Sequence, residues 1–155
     1  MKMDSSNLAV RFAINESRNS KCRSKRGAAV WHPCNPSQII AGHNHLPTGH
    51  CTNDDACKAT CGKRAIHAEQ DAILIAGNVP EHRFISLQGA QMLHVKTVDG
   101  ILVPSGGPSC LECAKLILAS GIDMMWLYHA DGWTAYDAHT FYMMSIDGAT
   151  VKALR

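Results

Sequence analysis

His67-Ala-Glu-Gln-Asp-Ala-Ile-Leu74 and, further along, Pro108-Ser-Cys-Leu-Glu-Cys-Ala-Lys-Leu-Ile-Leu-Ala119 decide how the chain is read. Together they offer one imidazole, two thiols three positions apart and a spare carboxylate. A catalytic zinc takes three protein ligands and keeps its fourth position for water. His67, Cys110 and Cys113 fill the three places. Pro108 and Ser109 are helix-start signals ahead of an apolar run, and residues three apart share a helix face. The partial positive charge at a helix N-terminus also favours the thiolate form that zinc binds.

Glu69 lies two residues from His67, too close in sequence to be an obvious ligand of the same ion but able to reach the water that ion holds. A metal lowers the pKa of bound water from roughly 16 towards about 7. A carboxylate beside it can take that proton and return it to a ring nitrogen and a leaving amine. His-x-Glu alone carries little, and a lone Cys-x-x-Cys also suits a redox pair or half of a structural zinc ribbon. The two motifs in one chain, each opening a helix, match the H-x-E and P-C-x-x-C signature of zinc-dependent base deaminases apart from Ser109 between the Pro and the first Cys.

Four stretches then resemble the zinc-dependent cytidine and deoxycytidylate deaminase superfamily, and within it the dCMP deaminase branch. They are Ser20-Lys-Cys-Arg-Ser-Lys-Arg-Gly-Ala-Ala-Val30, Gly42-His-Asn-His-Leu-Pro-Thr-Gly-His-Cys51, His67 to Leu74, and Pro108 to Ile122. The third and fourth are the specific ones. The resemblance implies an α/β fold of three layers, α/β/α, with a central mixed sheet of about five strands and helices on both faces. It implies that Glu69 shuttles the proton, that Asn44 contacts substrate, that the backbone N–H of Ala68 faces the pyrimidine edge, and that the backbone N–H of Cys110 lies against the zinc-bound oxygen. Asn44 also suits a turn former beside Pro47 and Gly49. The chain departs from the family where Ser109 stands between Pro108 and the first zinc Cys. It departs again where His43 and His45 flank Asn44, and in the long segment His94 to Pro104, whose Asp99-Gly100 reads as a turn. These departures bear on the substrate and on nucleotide regulation, not on the metal.

Seven cysteines are many for 155 residues. With no apolar core segment between Met1 and Arg11, a signal peptide is not expected, and a reducing, cytoplasmic setting makes disulfides unexpected. Cys51, Cys57 and Cys61 fall in a polar loop with little to bury, which calls for a staple. The resemblance implies that Cys22, Cys51, Cys57 and Cys61 hold a second, structural zinc, since four thiolates close a tetrahedral site. One ligand replaced by His43, His45 or His50, or free thiols packed as small hydrophobes, are the other readings. Cys34, between Pro33 and Pro36, is read as a loop thiol.

At 46% hydrophobic and 18% charged residues, residues 1–155 read as one globular domain. No apolar run approaches the roughly twenty residues needed to cross a bilayer. The formal charge of +2 makes no general case for nucleic-acid binding. Arg18, Lys21, Arg23, Lys25 and Arg26 nonetheless cluster, as a solvated helix end or as a contact to a substrate phosphate. Periodicity predicts a helix to about Ser17 with Leu8, Phe12 and Ala13 or Ile14 on one face, and strands at 27–31 and 38–41 around the Pro33 to Pro36 turn. It goes on to a helix over about 65–76, a strand over 90–95 that 100–103 extends or pairs with, a helix over 109–120 and a strand over 124–128. The aromatics of Trp133 to Met144 fall at helix-like spacing and predict an amphipathic helix that packs on its own domain, or a subunit interface or lid.

The expected function is hydrolytic deamination of a free cytosine nucleotide, dCMP to dUMP plus ammonia, in a homo-oligomer. The same site would serve cytidine, a modified cytosine or guanine. An editing deaminase on single-stranded DNA or tRNA would need basic and stacking residues along a groove. A zinc-stapled binding module would have no need of Glu69.

Overall fold

The computed structural model describes residues 3–80, 83–84 and 86–153, so the outer ends of the expected 1–155 domain lie outside the described residues. The chain runs α1 (Leu8–Asn19), β1 (Lys25–His32), β2 (Asn35–His43), α2 (Asp55–Arg64), α3 (Ala68–Asn78), β3 (Gln91–Val98), β4 (Ile101–Val103), α4 (Leu111–Ala119), β5 (Met124–His129), β6 (Gly132–Asp137) and α5 (Ala138–Ala153). The sheet has six strands in the order β2-β1-β3-β5-β6, with β4 paired to β3 beyond the end of β5. β3 and β5 are parallel and the other pairs antiparallel.

Alternation along the central strands builds the layers, because successive side chains of a strand point to opposite faces. Ala28 and Val30 of β1, Met92 of β3, and Met125 and Leu127 of β5 pack with Ala68, Ala72, Ala114, Ile117 and Phe141 of α3, α4 and α5. Ala29 and Trp31 of β1 and Leu93 and Val95 of β3 pack on the other face with Ala9, Val10 and Ala13 of α1. The result is the expected three-layer α/β/α fold. Helix α1 buries its small residues, while Leu8 and Phe12 stay 41% and 42% exposed. Ala13 is buried and Ile14 packs against the core as expected, but Ala9 and Val10 take the places expected of Leu8 and Phe12: small side chains let the helix sit close to the sheet.

Two further differences have local causes. The three-cysteine segment contains a helix where a loop was expected. Asp54 caps α2 by accepting from the Cys57 N–H at 2.7 Å. The aromatic tail divides: Trp133 and Tyr136 lie in β6, which pairs with β5 across Ala130 and Asp131, and the helix begins only at Ala138. The predicted turn at Asp99-Gly100 is present, with both residues at positive φ (52° and 74°), and returns β4 onto β3.

Asp71 on α3 joins the end of β2 to that helix. Its Oδ2 accepts from the His43 N–H at 3.0 Å, and its Oδ1 lies 3.0 Å from His45 Nε2. A Cβ on Gly42 would stand 2.6 Å from the Ala72 nitrogen, so only glycine allows this approach. His45 and Ile66 exchange backbone hydrogen bonds of 3.1 and 2.8 Å, which close residues 46–65 into an excursion carrying α2. No helix among the described residues is long and apolar enough to cross a membrane.

Candidate metal and catalytic site

Helices α3 and α4 start beside each other, and both first turns carry the chemistry. His67 is the N-cap of α3, fixed by its N–H donating to Gln70 Oε1 at 2.9 Å. Cys110 is the N-cap of α4 and Cys113 lies in its first turn. His67 Nδ1 stands 3.2 Å from Cys113 Sγ and 3.3 Å from Cys110 Sγ. Among the described residues these three form the set of His, Cys, Asp and Glu donors that could hold a metal ion, all within 4.8 Å of one another.

The donor set fits zinc. Bonds of about 2.0–2.3 Å to nitrogen and sulfur put the donors of a tetrahedral ion roughly 3.5–3.8 Å apart, near the separations observed. The imidazole is also turned to suit a metal ligand. Its Nε2 lies 3.3 Å from the carbonyl of Gly62 in α2, so its N–H points there and the Nδ1 lone pair faces the thiols. Within the protein alone, Cys110 is the thiolate of the pair. A hydrogen bond from the Cys113 thiol, with His67 adding to it, lowers its pKa to about 4 against burial. The Cys113 thiol is pushed up by that same bond and by burial. The His67 pKa is raised, first by its bond to Cys110.

Glu69, on the first turn of α3, is 4% exposed. The Ser109 hydroxyl donates to its Oε1. Burial is the largest single influence and opposes its charge, but His94, the Ser109 hydroxyl, a backbone N–H and His67 together outweigh it and lower its pKa. The side chain is thus a carboxylate, the form that takes a proton. Ser109 is steadied from α5, whose buried Ser145 hydroxyl donates to the Ser109 carbonyl at 3.0 Å.

His67, Ala68, Glu69, Cys110 and Asn44 all line one hollow of about 700 Å³. Ala68 is fully buried at the first helical position of α3, where a backbone N–H has no acceptor within its own helix. Asn44 is 6% exposed. Its Oδ1 accepts from the Arg26 N–H at 2.9 Å and its Nδ2 donates to the Ser24 carbonyl at 2.6 Å. The amide therefore works first as a tie between strand ends, with one N–H still available to the hollow.

Cys22, Cys51, Cys57 and Cys61 approach as two pairs and not as one cluster: among the described residues no three of their sulfurs lie within 4.8 Å of one another. Cys51 and Cys57 have their sulfurs 3.1 Å apart. Cys22 meets Cys61, and its thiol pKa is raised by burial first and by Cys61 and Cys51 among the smaller influences. Two of the three histidines considered as replacements are engaged elsewhere, His43 with Glu16 at 2.8 Å and His45 with Asp71 and the Leu46 carbonyl, whereas His50 lines a hollow with Cys22 and Cys51. Cys34 is exposed at the β1-β2 turn.

Sequence reasoning places none of three groups beside Glu69, although it marks Arg26 as one of a basic cluster suited to a phosphate. Ser109 stands out in the sequence only as the residue between Pro108 and Cys110. His94 and Arg26 come from β3 and β1, and only strand register reveals them: Ala28 pairs with His94 and Arg26 with Lys96, so both side chains share the face of Ala28 that looks toward α3. Burial pushes the His94 pKa down, with Glu69 working the other way.

No protein-family model matches the sequence, and no curated protein matches it. Among solved structures, the chain is similar to a cytidine deaminase from Burkholderia pseudomallei. The TM-score is 0.53 at 16% sequence identity, over 90% of this chain and 96% of that one. The likeness is one of fold.

Proposed function

We propose that the chain is a single-domain, zinc-dependent hydrolytic deaminase acting on a free cytosine nucleotide, with dCMP to dUMP plus ammonia as the reaction. The observation that carries the reading is Glu69: a buried carboxylate, kept charged, lining the same hollow as His67 and Cys110, two of the three clustered metal donors. A structural metal site has no use for such a group. The fold it shares with a cytidine deaminase supports the same reading.

In this reading His67 Nδ1 and the sulfurs of Cys110 and Cys113 hold the zinc. When bound, zinc supplies a Lewis acid that makes water a nucleophile near neutral pH. Glu69 carries the proton. Its Oε1 is engaged by Ser109, which leaves Oε2 to take one proton from water and deliver it to the ring nitrogen, and then to carry the second proton from the added hydroxyl to the departing amine. The oxygen of water replaces the 4-amino group, which leaves as ammonia. The N–H groups of Ala68 and Cys110, both at helix N-termini, are the donors for the pyrimidine edge and for developing negative charge. Asn44 supports the sugar side of the hollow while tying Ser24 to Arg26.

Cys22, Cys51, Cys57 and Cys61 hold a second, structural zinc that fixes α2 to the strand ends. The two thiol pairs favour this over scattered free thiols. We also expect a homo-oligomer, with α5 near the subunit contact.

The test is ammonia release from purified zinc-loaded protein across cytidine, deoxycytidine, CMP, dCMP, adenine and guanine compounds and single-stranded oligonucleotides. dCMP should be the best substrate. Release only from oligonucleotides, or from none of the panel, would overturn the reading.

A further inference from the structure

Arg26 reaches the hollow from the edge of β1 and is half-buried there. It is the one member of the basic cluster at residues 18–26 that lines this hollow. Arg18, by contrast, donates to the Gly100 carbonyl at 3.0 Å, and Lys25 to the Ser20 carbonyl. The Arg26 guanidinium is held in place by two hydrogen bonds: Nε donates to Ser24 Oγ at 3.0 Å, and Nη1 to the Ser105 carbonyl at 3.3 Å. A guanidinium has five N–H donors in a planar fork. Three are left over.

Among the described residues no carboxylate lies within ion-pair distance of Arg26. Glu69 is near enough to act on it electrostatically, but the hydrogen bond at its Oε1 comes from Ser109. A charge drawn out of water without a paired counter-charge is costly unless something else supplies one. Beside it Ser105 is 8% exposed, and its hydroxyl oxygen is buried without a hydrogen-bond partner among the described residues. Its N–H is bonded to the Tyr128 carbonyl at 2.9 Å, so the residue is fixed while the hydroxyl is not engaged. Ser105 lines the same hollow. An unpaired guanidinium fork and an unsatisfied hydroxyl that share one wall form a receptor for an oxyanion.

We propose that Arg26 is a specificity-determining residue that grips a phosphate of the substrate, with the Ser105 hydroxyl as a second donor. The inference rests on the deaminase reading and deepens it, since it states why a nucleotide is taken in preference to a nucleoside or a free base. The Arg26 fork suits bidentate contact with phosphate oxygens, which lysine's single ammonium cannot reproduce. The hollow is within the roughly 300–1,000 Å³ that encloses a small organic ligand. The arginine does not react; it fixes one end of the substrate so that the ring meets Glu69.

The experiment is calorimetric titration with the product dUMP, with deoxyuridine and with 2-deoxyribose 5-phosphate, on the zinc-loaded full chain and its variants. The wild type should bind dUMP about tenfold or more tightly than deoxyuridine. Arg26→Gln should erase most of that advantage and Arg26→Lys restore part of it. In turnover the Arg26→Gln effect should appear in KM for dCMP more than in kcat. Ser105→Ala removes a hydroxyl that bonds nothing among the described residues, so it should leave the fold intact and cut the dUMP advantage severalfold even if Arg26→Gln fails to fold. An undiminished dUMP advantage in Arg26→Gln, or in Ser105→Ala where Arg26→Gln does not fold, would overturn the proposal. If the chain deaminates nothing, binding of 2-deoxyribose 5-phosphate and its loss in the variants still support the anion site. Turnover with no phosphate preference would instead sink the anion site and leave the deaminase reading standing.

Discussion

The Ser109 hydroxyl donates its hydrogen bond to Glu69 Oε1 across the gap between the first turns of α4 and α3. It thereby does two things to the carboxylate: it lowers the pKa and it engages Oε1, leaving Oε2 for the proposed proton transfer. Removing the donor should leave metal binding intact and cost alignment. Ser109→Ala is expected to lower kcat about tenfold to a hundredfold, the scale of a hydrogen bond to a charged group, with zinc content unchanged. Ser109→Thr keeps the hydroxyl and should keep most of the rate. Equal kcat in Ser109→Ala and wild type would show that the bond has no role in turnover.

Glu69 itself should be indispensable to turnover and dispensable for metal. Glu69→Gln preserves volume and removes the proton acceptor, so kcat should fall by roughly a hundredfold to ten-thousandfold, the usual contribution of a general base. Zinc content by elemental analysis should stay at the wild-type level, because the donors are His67, Cys110 and Cys113. Zinc lost along with activity would reassign Glu69 from proton carrier to ligand support.

The cysteines of the 46–65 excursion make a prediction about stoichiometry. Two zinc ions per chain are expected, one lost in Cys110→Ser and the other in Cys57→Ser. The second loss should also be felt at the first site, because Gly62 of α2 accepts from His67 Nε2 and such outer partners are typically worth about 10- to 100-fold in metal affinity. Competition with a chelator should therefore strip the remaining zinc from Cys57→Ser faster than from wild type. One zinc per chain in both the wild type and Cys57→Ser would leave the four cysteines without a metal role.

These residues also show what the sequence made legible. The three donors and Glu69 could be read because each lies within three positions of a motif partner or of a helix start, so local periodicity places them. The Asp99-Gly100 hairpin was readable for the same reason. Helix α2 was not, because its apolar residues are too few to mark a face and its start depends on the Asp54 cap. Strand β6 was missed because Trp133, Tyr136 and Phe141 suggest helical spacing when read together, although the Asp131-Gly132 pair before them is a turn signal. His94 and Arg26 lie beyond any local reading. What brings them to Glu69 is the pairing of β1 with β3 across more than sixty intervening residues of sequence.

His43 and His45, on either side of Asn44, lead to a pH prediction. His45 Nε2 sits 3.0 Å from Asp71 Oδ1 and its Nδ1 2.9 Å from the Leu46 carbonyl. Burial is the largest influence and opposes the charge, but the Leu46 carbonyl and Asp71 outweigh it, so the folded pKa lies above the ordinary 6.5. Asp71 from α3 and His43 from β2 face the ring, and Lys21, His50 and Cys51 line the hollow beside it. A raised histidine pKa means that the folded state binds the proton more tightly. The stabilisation is therefore complete below about pH 6.5 and is lost as pH rises through the folded pKa. The His45 side chain is 34% exposed, so solvent screening keeps the gain under about 1 kcal/mol. Urea midpoints of wild type and His45→Gln should differ most near pH 6 and converge above pH 8, and Asp71→Asn should flatten the wild-type profile. A gap between wild type and His45→Gln that stays constant from pH 6 to pH 9 would show that His45 acts through packing and not through charge.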